Sequence, residues 1–476
     1  MITPEHIILI LALAFGFYMA WSIGANDVAN AMGTSVGSGA LTLKQAIIVA
    51  AVLEFSGAFF VGTNVTETVR KGIIDPSIFV NNHIIFMLGM LSALLAAAAW
   101  LQLASYFGWP VSTTHSIVGA IVGFGLITGG VHAVKWPKLF SITMSWIISP
   151  ILSGIIAFIL FNIIRYKVYF SSHPLKSTKK IAPYLIFSVF FVLTLAMVFK
   201  GLKNLHLHLS FTKASFIALI VGIIAAFIGK YFINKIQGME EISELEEYEE
   251  KSARFLFNIY RATKRIENAI RLAPNLNLKK ELNNILQKLK PIVGDIESKE
   301  IMNTKTEYIM VEKIFGYLQI LSASFVAFAH GANDVANSVG PLAGIVSVLK
   351  TGTVINKSPV PLWVLALGGV GIVVGLATWG WRVIETVGKK ITELTPSRGF
   401  SAEFSAAITI VFASKLGLPI STTHTLVGAV LGVGMARGFS ALNVKVIRDI
   451  IISWAITIPT GAFLTIIIFK TLKIFF

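Results

Sequence analysis

The chain reads as an all-α polytopic membrane protein of about twelve transmembrane segments, arranged as two inverted-topology repeats with broken or re-entrant helices. Three observations lead there. The chain is 55% hydrophobic and 13% charged, with a mean hydropathy of +0.76; a soluble domain averages about 25% charged residues. Apolar runs of helix-spanning length recur near residues 7–23, 45–63, 84–104, 111–130, 139–165, 181–200, 211–234, 313–332, 361–381, 402–416, 419–437 and 446–472. Finally, Gly-Ala-Asn-Asp-Val-Ala-Asn occurs twice, at Gly24–Asn30 and Gly331–Asn337, each copy ending an apolar run.

The first run, Ile7–Ile23, is expected to be a retained span, because no basic region precedes it and no small-residue cleavage site stands out. Several later runs are short or interrupted by glycine and proline, which suits re-entrant halves. The 39 glycines fit close helix packing, and no short alternating segments suggest a barrel. Residues 238–312 form a soluble insert, which divides the chain into a first membrane half (1–237), the insert, and a second membrane half (313–476). The insert opens with an acidic run, Glu240 to Glu250, best read as a solvated helix face. Apolar positions at helical spacing follow, Phe255, Ile259, Ile266 and Ile270, then Leu278, Leu282, Ile285 and Leu289 beyond Pro274, predicting a helical hairpin.

The duplicated motif falls on spans one and eight. That difference is odd, so the two halves enter the membrane in opposite directions. Net charge is +16, yet residues 238–312 hold 14 of the 24 acids and 12 of the 40 basic residues. The basic excess elsewhere fits loops facing the cytoplasm and anionic lipid. With the insert cytoplasmic, the loops carrying Arg165, Lys167, Lys176, Lys179 and Lys180, and Arg382, Lys389, Lys390 and Arg398, share its side, and both termini lie outside. Scattered basic residues make nucleic acid a poor partner. Without cysteine the chain has no disulfide or thiolate chemistry.

Asp27 and Asp334 follow apolar spans, where an ionised carboxylate is costly unless paired or bound to a cation. Asn26, Asn30, Asn333 and Asn337 add neutral carbonyl oxygens, and Asp27 and Asn30, three apart, share a helical face. Carboxylate with amide oxygens suits a hard cation such as Na⁺. Helix capping and interhelical hydrogen bonding would explain a single copy equally well; duplication over seven residues favours function.

A second motif, Gly-x-Pro-x-Ser-Thr-Thr-His, occurs at Gly108–His115 and Gly417–His424, and ten of sixteen positions match over Gly108–Gly123 and Gly417–Gly432. Proline just before Ser-Thr-Thr is a helix-start pattern. Ser112, Thr113 and Thr114, and Ser421, Thr422 and Thr423, are then placed at two half-helix N-termini, where free N–H groups and the dipole favour an anion. Two such ends could grip a tetrahedral oxyanion from opposite sides. Ordinary N-capping accounts for one hydroxyl per copy, not three with a repeated histidine. His115 and His424 are read as structural groups at the helix starts. His330 precedes the second Gly-Ala-Asn-Asp where the first copy has Ile23, marking it as a candidate pH-sensitive group. Glu-Thr-Val-x-Lys at Glu67–Lys71 and Glu385–Lys389 is a weaker echo that suits interfacial anchoring. Glu54 and Glu403, both expected in spans, are candidates for coupling or gating.

An intramembrane hydrolase fits poorly, since no nucleophile elbow, Walker A loop or His-Glu-x-x-His motif is present and the Ser-Thr-Thr-His cluster is duplicated. A passive anion channel does not explain paired intramembrane aspartates. The residues point to an ion-coupled solute site made from both halves.

These two duplicated motifs resemble those of the inorganic phosphate transporter family, over both membrane halves but not over residues 238–312. The resemblance implies twelve spans in inverted repeats, external termini, a homodimer in the cell membrane and secondary active uptake of phosphate by symport with Na⁺. It implies cation-site roles for Asp27, Asp334 and their asparagines, phosphate-site roles for Ser112–Thr114 and Ser421–Thr423, and transport roles for Glu54 and Glu403. Relatives also use H⁺, metal–phosphate complexes or sulfate, so these alternatives stay open. Na⁺ is the expected coupling ion, with no other cofactor expected.

Overall fold

The computed structural model describes the chain except residues 1–3, 110, 200–208, 237–261, 264, 272–275, 295–299, 355–358, 382, 385–394 and 438–443. Described residues fold into helices α1 (Pro4–Gly37), α2 (Leu43–Val61), α3 (Thr63–Lys71), α4 (His83–Tyr106), α5 (Thr113–Gly129), α6 (Trp136–Ile164), α7 (Pro174–Val198) and α8 (Phe211–Asn234). Then come α9 (Leu276–Gly294), α10 (Glu300–Thr351), α11 (Leu362–Thr378), α12 (Pro396–Lys415), α13 (Thr422–Arg437) and α14 (Val444–Phe475). Among the described residues, nine helices are long and apolar enough to cross a membrane. The sequence predicts about twelve segments. The difference lies in 361–381, 402–416 and 419–437: α11 and α13 are shorter helices of 17 and 16 residues, and α12, 20 residues long, is less apolar, with Ser397, Arg398, Ser401, Glu403 and Ser405 in its first half.

Contacts group the chain into two compact units. One comprises Met1–Asn162, Tyr184–Ala226 and Phe315–Phe476. The other comprises Ile163–Pro183 and Phe227–Ile314. In the second unit, Tyr169 donates to Glu312 Oε1 at 2.5 Å and stacks on Tyr308, ring centroids 5.8 Å apart. Helix α9 covers the second stretch of helical spacing, Leu278 to Leu289; it buries Leu286, while Leu278 and Ile285 stay exposed. Glu240–Glu250, Phe255, Ile259 and Pro274 lie outside the described residues, as do Arg382 and Glu385–Lys390.

Within the first unit the sequence places glycine where helices must touch. A Cβ on Gly24 of α1 would lie 2.0 Å from the Ile372 carbonyl oxygen of α11, and one on Gly331 of α10 would lie 2.1 Å from that of Glu54 in α2. In lipid, helices gain no hydrophobic drive toward one another, so close van der Waals contact of this kind holds them together. Asp27 and Asp334 each follow three residues beyond these contacts, inside their helices.

Helices α4 and α5 form a hairpin, as do α12 and α13. The tip of each turns at a glycine in the left-handed region, Gly108 (φ +67°) and Gly417 (φ +66°), a conformation that costs glycine least. The base of the first hairpin is fastened where Ile74 and Val134 bridge, with Asp75 N–H donating to Ala133 O at 2.8 Å and Lys135 N–H to Ile73 O at 2.9 Å.

Candidate functional site

The acidic motifs sit inside helices, not at their ends. Helix α1 runs through Gly24–Asn30 to Gly37, and α10 runs through Gly331–Asn337 to Thr351. The backbone there is already hydrogen-bonded within the helix, so capping does not account for these side chains. Asn26, Asp27, Asn30, Asn333, Asp334 and Asn337 are all buried. As the spacing predicts, Asp27 and Asn30 share a face: Asn30 Nδ2 donates to Asp27 Oδ1 at 3.0 Å.

The hydroxyl motifs start helices, as their prolines indicate. Ser112 is the N-cap of α5 and accepts from His115 N–H at 3.2 Å; Ser421 accepts from His424 N–H at 3.2 Å. Thr113 and Thr114, and Thr422 and Thr423, follow in the first turn, buried with their serines. Each start therefore offers first-turn N–H groups and threonine hydroxyls at a positive dipole end.

Each hairpin tip is fixed to an acidic motif of its own half. Asn26 Nδ2 donates to Ser105 Oγ (2.9 Å) and Trp109 O (3.3 Å); Asn333 Nδ2 donates to Ser414 Oγ (2.9 Å) and Leu418 O (3.2 Å). These contacts use the amide nitrogens and turn the carbonyl oxygens elsewhere. Asn26 Oδ1 and Asn333 Oδ1 have no hydrogen-bond partner in the structure, nor do Asn337 Oδ1, Asp27 Oδ2 and Asp334 Oδ1. Five buried oxygens without a donor are costly unless something positive meets them.

The halves also interlock. Asn30 Nδ2 donates to Thr423 Oγ1 at 2.7 Å, and Asn337 Nδ2 approaches Thr113 Oγ1 (3.4 Å) and Thr114 Oγ1 (3.2 Å). Thr114 Oγ1 donates to Ile420 O at 2.9 Å, joining one tip to the other. Thr422 Oγ1 donates to Asp334 Oδ2 at 2.7 Å, whereas Thr423 Oγ1 lies 3.4 Å from Asp27 Oδ1 across the halves. The rings of His115 and His424 meet edge to face, centroids 4.5 Å apart, and Trp146 packs on His115 while its Nε1 donates to Pro419 O at 2.9 Å.

His330 and Glu54 join the acidic centre. His330 Nε2 lies 2.9 Å from Asp334 Oδ2 and 3.7 Å from Asp27 Oδ2, and its Nδ1 lies 3.2 Å from Glu54 Oε1. Among the described residues, no lysine or arginine pairs with these three carboxylates. Buried carboxylates so arranged call for cations.

Glu403 lies apart, in a polar cluster of its own. Its Oε1 accepts from Thr34 Oγ1 (2.5 Å), Ser35 Oγ (2.6 Å) and Gln319 Nε2 (3.0 Å), and its Oε2 from Ser322 Oγ (2.6 Å). Sequence reasoning singled out Glu403 but missed these four partners, because none lies in a repeated motif. The spacing that maps Asp27 onto Asp334 maps Thr34, Ser35, Ala12 and Phe15 onto Pro341, Leu342, Gln319 and Ser322. The spacing that maps Ser105 onto Ser414 maps Leu94 onto Glu403. The counterpart of this cluster is thus apolar, and comparing the halves position by position would have exposed it.

Comparison with known proteins gives the family of the chain. A family model described as the phosphate transporter family matches residues 23–465. The chain is 46% identical over 457 residues to the chloroplastic inorganic phosphate transporter 2-1 of Arabidopsis thaliana, covering 96% of this chain and 70% of that protein. It is 43% identical over 464 residues to a protein described as a candidate phosphate permease in Pyrococcus horikoshii, covering 98% and 97%. A solved structure of a sodium-dependent phosphate transporter aligns with a TM-score of 0.80 at 37% identity, covering 99% of this chain and 100% of that one. With both duplicated motifs at the centre of the fold and the match running almost end to end, the chain belongs to the phosphate transporter family.

Proposed function

We propose that the protein imports inorganic phosphate across the cell membrane by symport with Na⁺. The observation that carries this reading is the buried centre where Asn26, Asp27, Asn333, Asp334 and Asn337 present unpartnered oxygens beside two hydroxyl-bearing helix starts. Carboxylate and amide oxygens form a hard donor set suited to Na⁺. Phosphate would take the donors: the first-turn N–H groups and the hydroxyls of Ser112, Thr113, Thr114, Ser421, Thr422 and Thr423. Neither duplicated motif contains arginine, so co-bound cations supply the positive charge that lets the site take the anion and later release it. The sodium-dependent character of the structural neighbour supports the same coupling ion.

In this reading, cations bind at the two acidic motifs and neutralise Asp27 and Asp334, phosphate completes the charge balance, and the loaded site opens to the cytoplasm. The halves 1–237 and 313–476 are inverted repeats around the site, and 238–312 is a cytoplasmic insert. Both termini lie outside, and the working unit is a homodimer. Glu54, His330 and Glu403 couple or gate.

Proteoliposomes holding only this protein test the reading. An inward Na⁺ gradient at equal pH is expected to drive uptake of radiolabelled phosphate, and an H⁺ gradient without Na⁺ is not. Uptake driven by H⁺ alone would replace Na⁺ by protons as the coupling ion.

A further inference from the structure

We infer that Asp27, Asp334 and His330, backed by Glu54, form a site for one divalent transition-metal ion such as Zn²⁺, which competes with the coupling sodium ions. The inference rests on the assignment of Asp27 and Asp334 as cation ligands and adds what His330 does beside them.

The donor set differs from that of a pure sodium site. Asp27, Asp334 and His330 each place one ligand atom within 4.8 Å of the others, all three fully buried. Imidazole nitrogen with carboxylate oxygen is a set for Zn²⁺ and its first-row neighbours; Mg²⁺ and Ca²⁺ prefer oxygen alone. The size fits. Bonds of about 2.0–2.1 Å in a tetrahedral site put neighbouring ligand atoms about 3.3 Å apart. The two contacts of His330 Nε2 with carboxylate oxygens, 2.9 and 3.7 Å, bracket that separation.

The alignment fits as well. His330 Nε2 lies close to carboxylate oxygens of both Asp334 and Asp27, so the three side chains converge on one buried point. Glu54 completes the pattern, because its Oε1 lies 3.2 Å from His330 Nδ1, the ring nitrogen away from the two aspartates. A carboxylate on the far nitrogen of a ligating histidine fixes the ring and strengthens it as a ligand. With three protein ligands, the fourth position remains for water or a phosphate oxygen.

The pseudo-equivalent place in the other half carries none of this. Ile23 stands where His330 does, and the spacing that maps Glu67 onto Glu385 maps Glu54 onto Ile372. The structure pairs them in the same way, since Gly331 abuts the Glu54 carbonyl and Gly24 that of Ile372. The metal site is therefore single. One divalent ion there brings the charge of two sodium ions to one point, so its binding and theirs exclude each other.

The test uses purified full-length protein in detergent, in choline buffer free of Na⁺ and phosphate, titrated with Co²⁺. The expected result is the visible absorption of four-coordinate Co²⁺ at one ion per chain, abolished by Zn²⁺ and reversed by Na⁺. His330→Ile should remove the spectrum. The near-isosteric Glu54→Gln, with folding checked by gel filtration and thermal melting, should weaken Co²⁺ binding by about 10–100-fold. Wild-type protein that leaves Co²⁺ with the spectrum of the hexaaquo ion overturns the inference, as does Co²⁺ binding that Na⁺ cannot reverse. In uptake assays, the Zn²⁺ concentration for half-inhibition should rise with Na⁺ concentration; independence of Na⁺ counts against the site. The symport reading fails on a different result, absence of Na⁺-driven uptake, which leaves the Co²⁺ spectrum untouched.

Discussion

Asn30 Nδ2 reaches Thr423 Oγ1 at 2.7 Å, carrying a hydrogen bond from the acidic motif of the first half to the hydroxyl motif of the second. The same amide nitrogen donates to Asp27 Oδ1 at 3.0 Å. One side chain thus ties the proposed cation site of one half to the proposed phosphate site of the other. A cation that reorients Asp27 must shift Asn30, and with it the start of α13. Asn30→Ala and Thr423→Val are each expected to weaken phosphate binding, and the double variant to weaken it by less than the two losses combined, since both remove one bond. A double-mutant cycle on phosphate affinity, read by calorimetry at saturating Na⁺, should return a coupling of about 0.5–3 kcal/mol. Strict additivity would mean that the bond links nothing that phosphate senses.

Asp27→Asn and Asp334→Asn remove the carboxylates but keep size and shape. Each variant should fold and should bind Na⁺ at least about tenfold more weakly, a loss of about 1.4 kcal/mol or more. Na⁺-driven uptake should fall to background. Folding is checked by thermal melting and coupling by uptake across a range of Na⁺ concentrations. Normal transport with unchanged Na⁺ dependence in both variants would remove Asp27 and Asp334 from the cation site.

Much of this centre is legible in the sequence, because duplication marks it. Both acidic motifs, both hydroxyl motifs and the helix starts behind the prolines fall where the residue types require, and Ser112 caps its helix. What the sequence hides is which partners meet across the halves. Adjacent threonines of one motif turn to different halves: Thr422 donates to Asp334 in its own half, and Thr423 meets Asn30 and Asp27 in the other. Such choices depend on how the hairpins dock, which local pattern does not encode. The cluster around Glu403 was hidden for a further reason. Hydroxyls of Thr34, Ser35 and Ser322 resemble the small polar residues common throughout membrane helices, and only proximity to a buried carboxylate gives them meaning.

That cluster makes Glu403 a stability determinant as well as a transport candidate. Glu403→Ala would leave the hydroxyls of Thr34, Ser35 and Ser322 and the Gln319 amide without their acceptor in a buried site. Each orphaned donor costs about 1–3 kcal/mol, less whatever local rotation recovers. Glu403→Gln keeps both side-chain positions but turns one acceptor into a donor facing donors, so its loss should be intermediate. Thermal melting in detergent should rank wild type above Glu403→Gln and Glu403→Ala lowest. An Ala variant as stable as wild type would show that the four donors find other partners.

Close helix contact supplies the last prediction. Gly24 and Gly331 each face a neighbouring backbone carbonyl across a gap that a methyl group would overrun, 2.0 and 2.1 Å from the added carbon. Carbonyl oxygens of a helix cannot rotate aside as a side chain can, so the helices must separate. Overpacking of this kind costs about 1–3 kcal/mol or more. The two sites should differ in what else they lose. Gly331→Ala displaces α2 at Glu54, the residue that faces His330, whereas Gly24→Ala displaces α11 at Ile372, which has no such partner. Both variants should melt earlier than wild type by similar amounts. Only Gly331→Ala should also lose affinity for Co²⁺ titrated in the absence of Na⁺. Equal Co²⁺ binding by the two variants would show that the position of Glu54 does not govern the ring of His330.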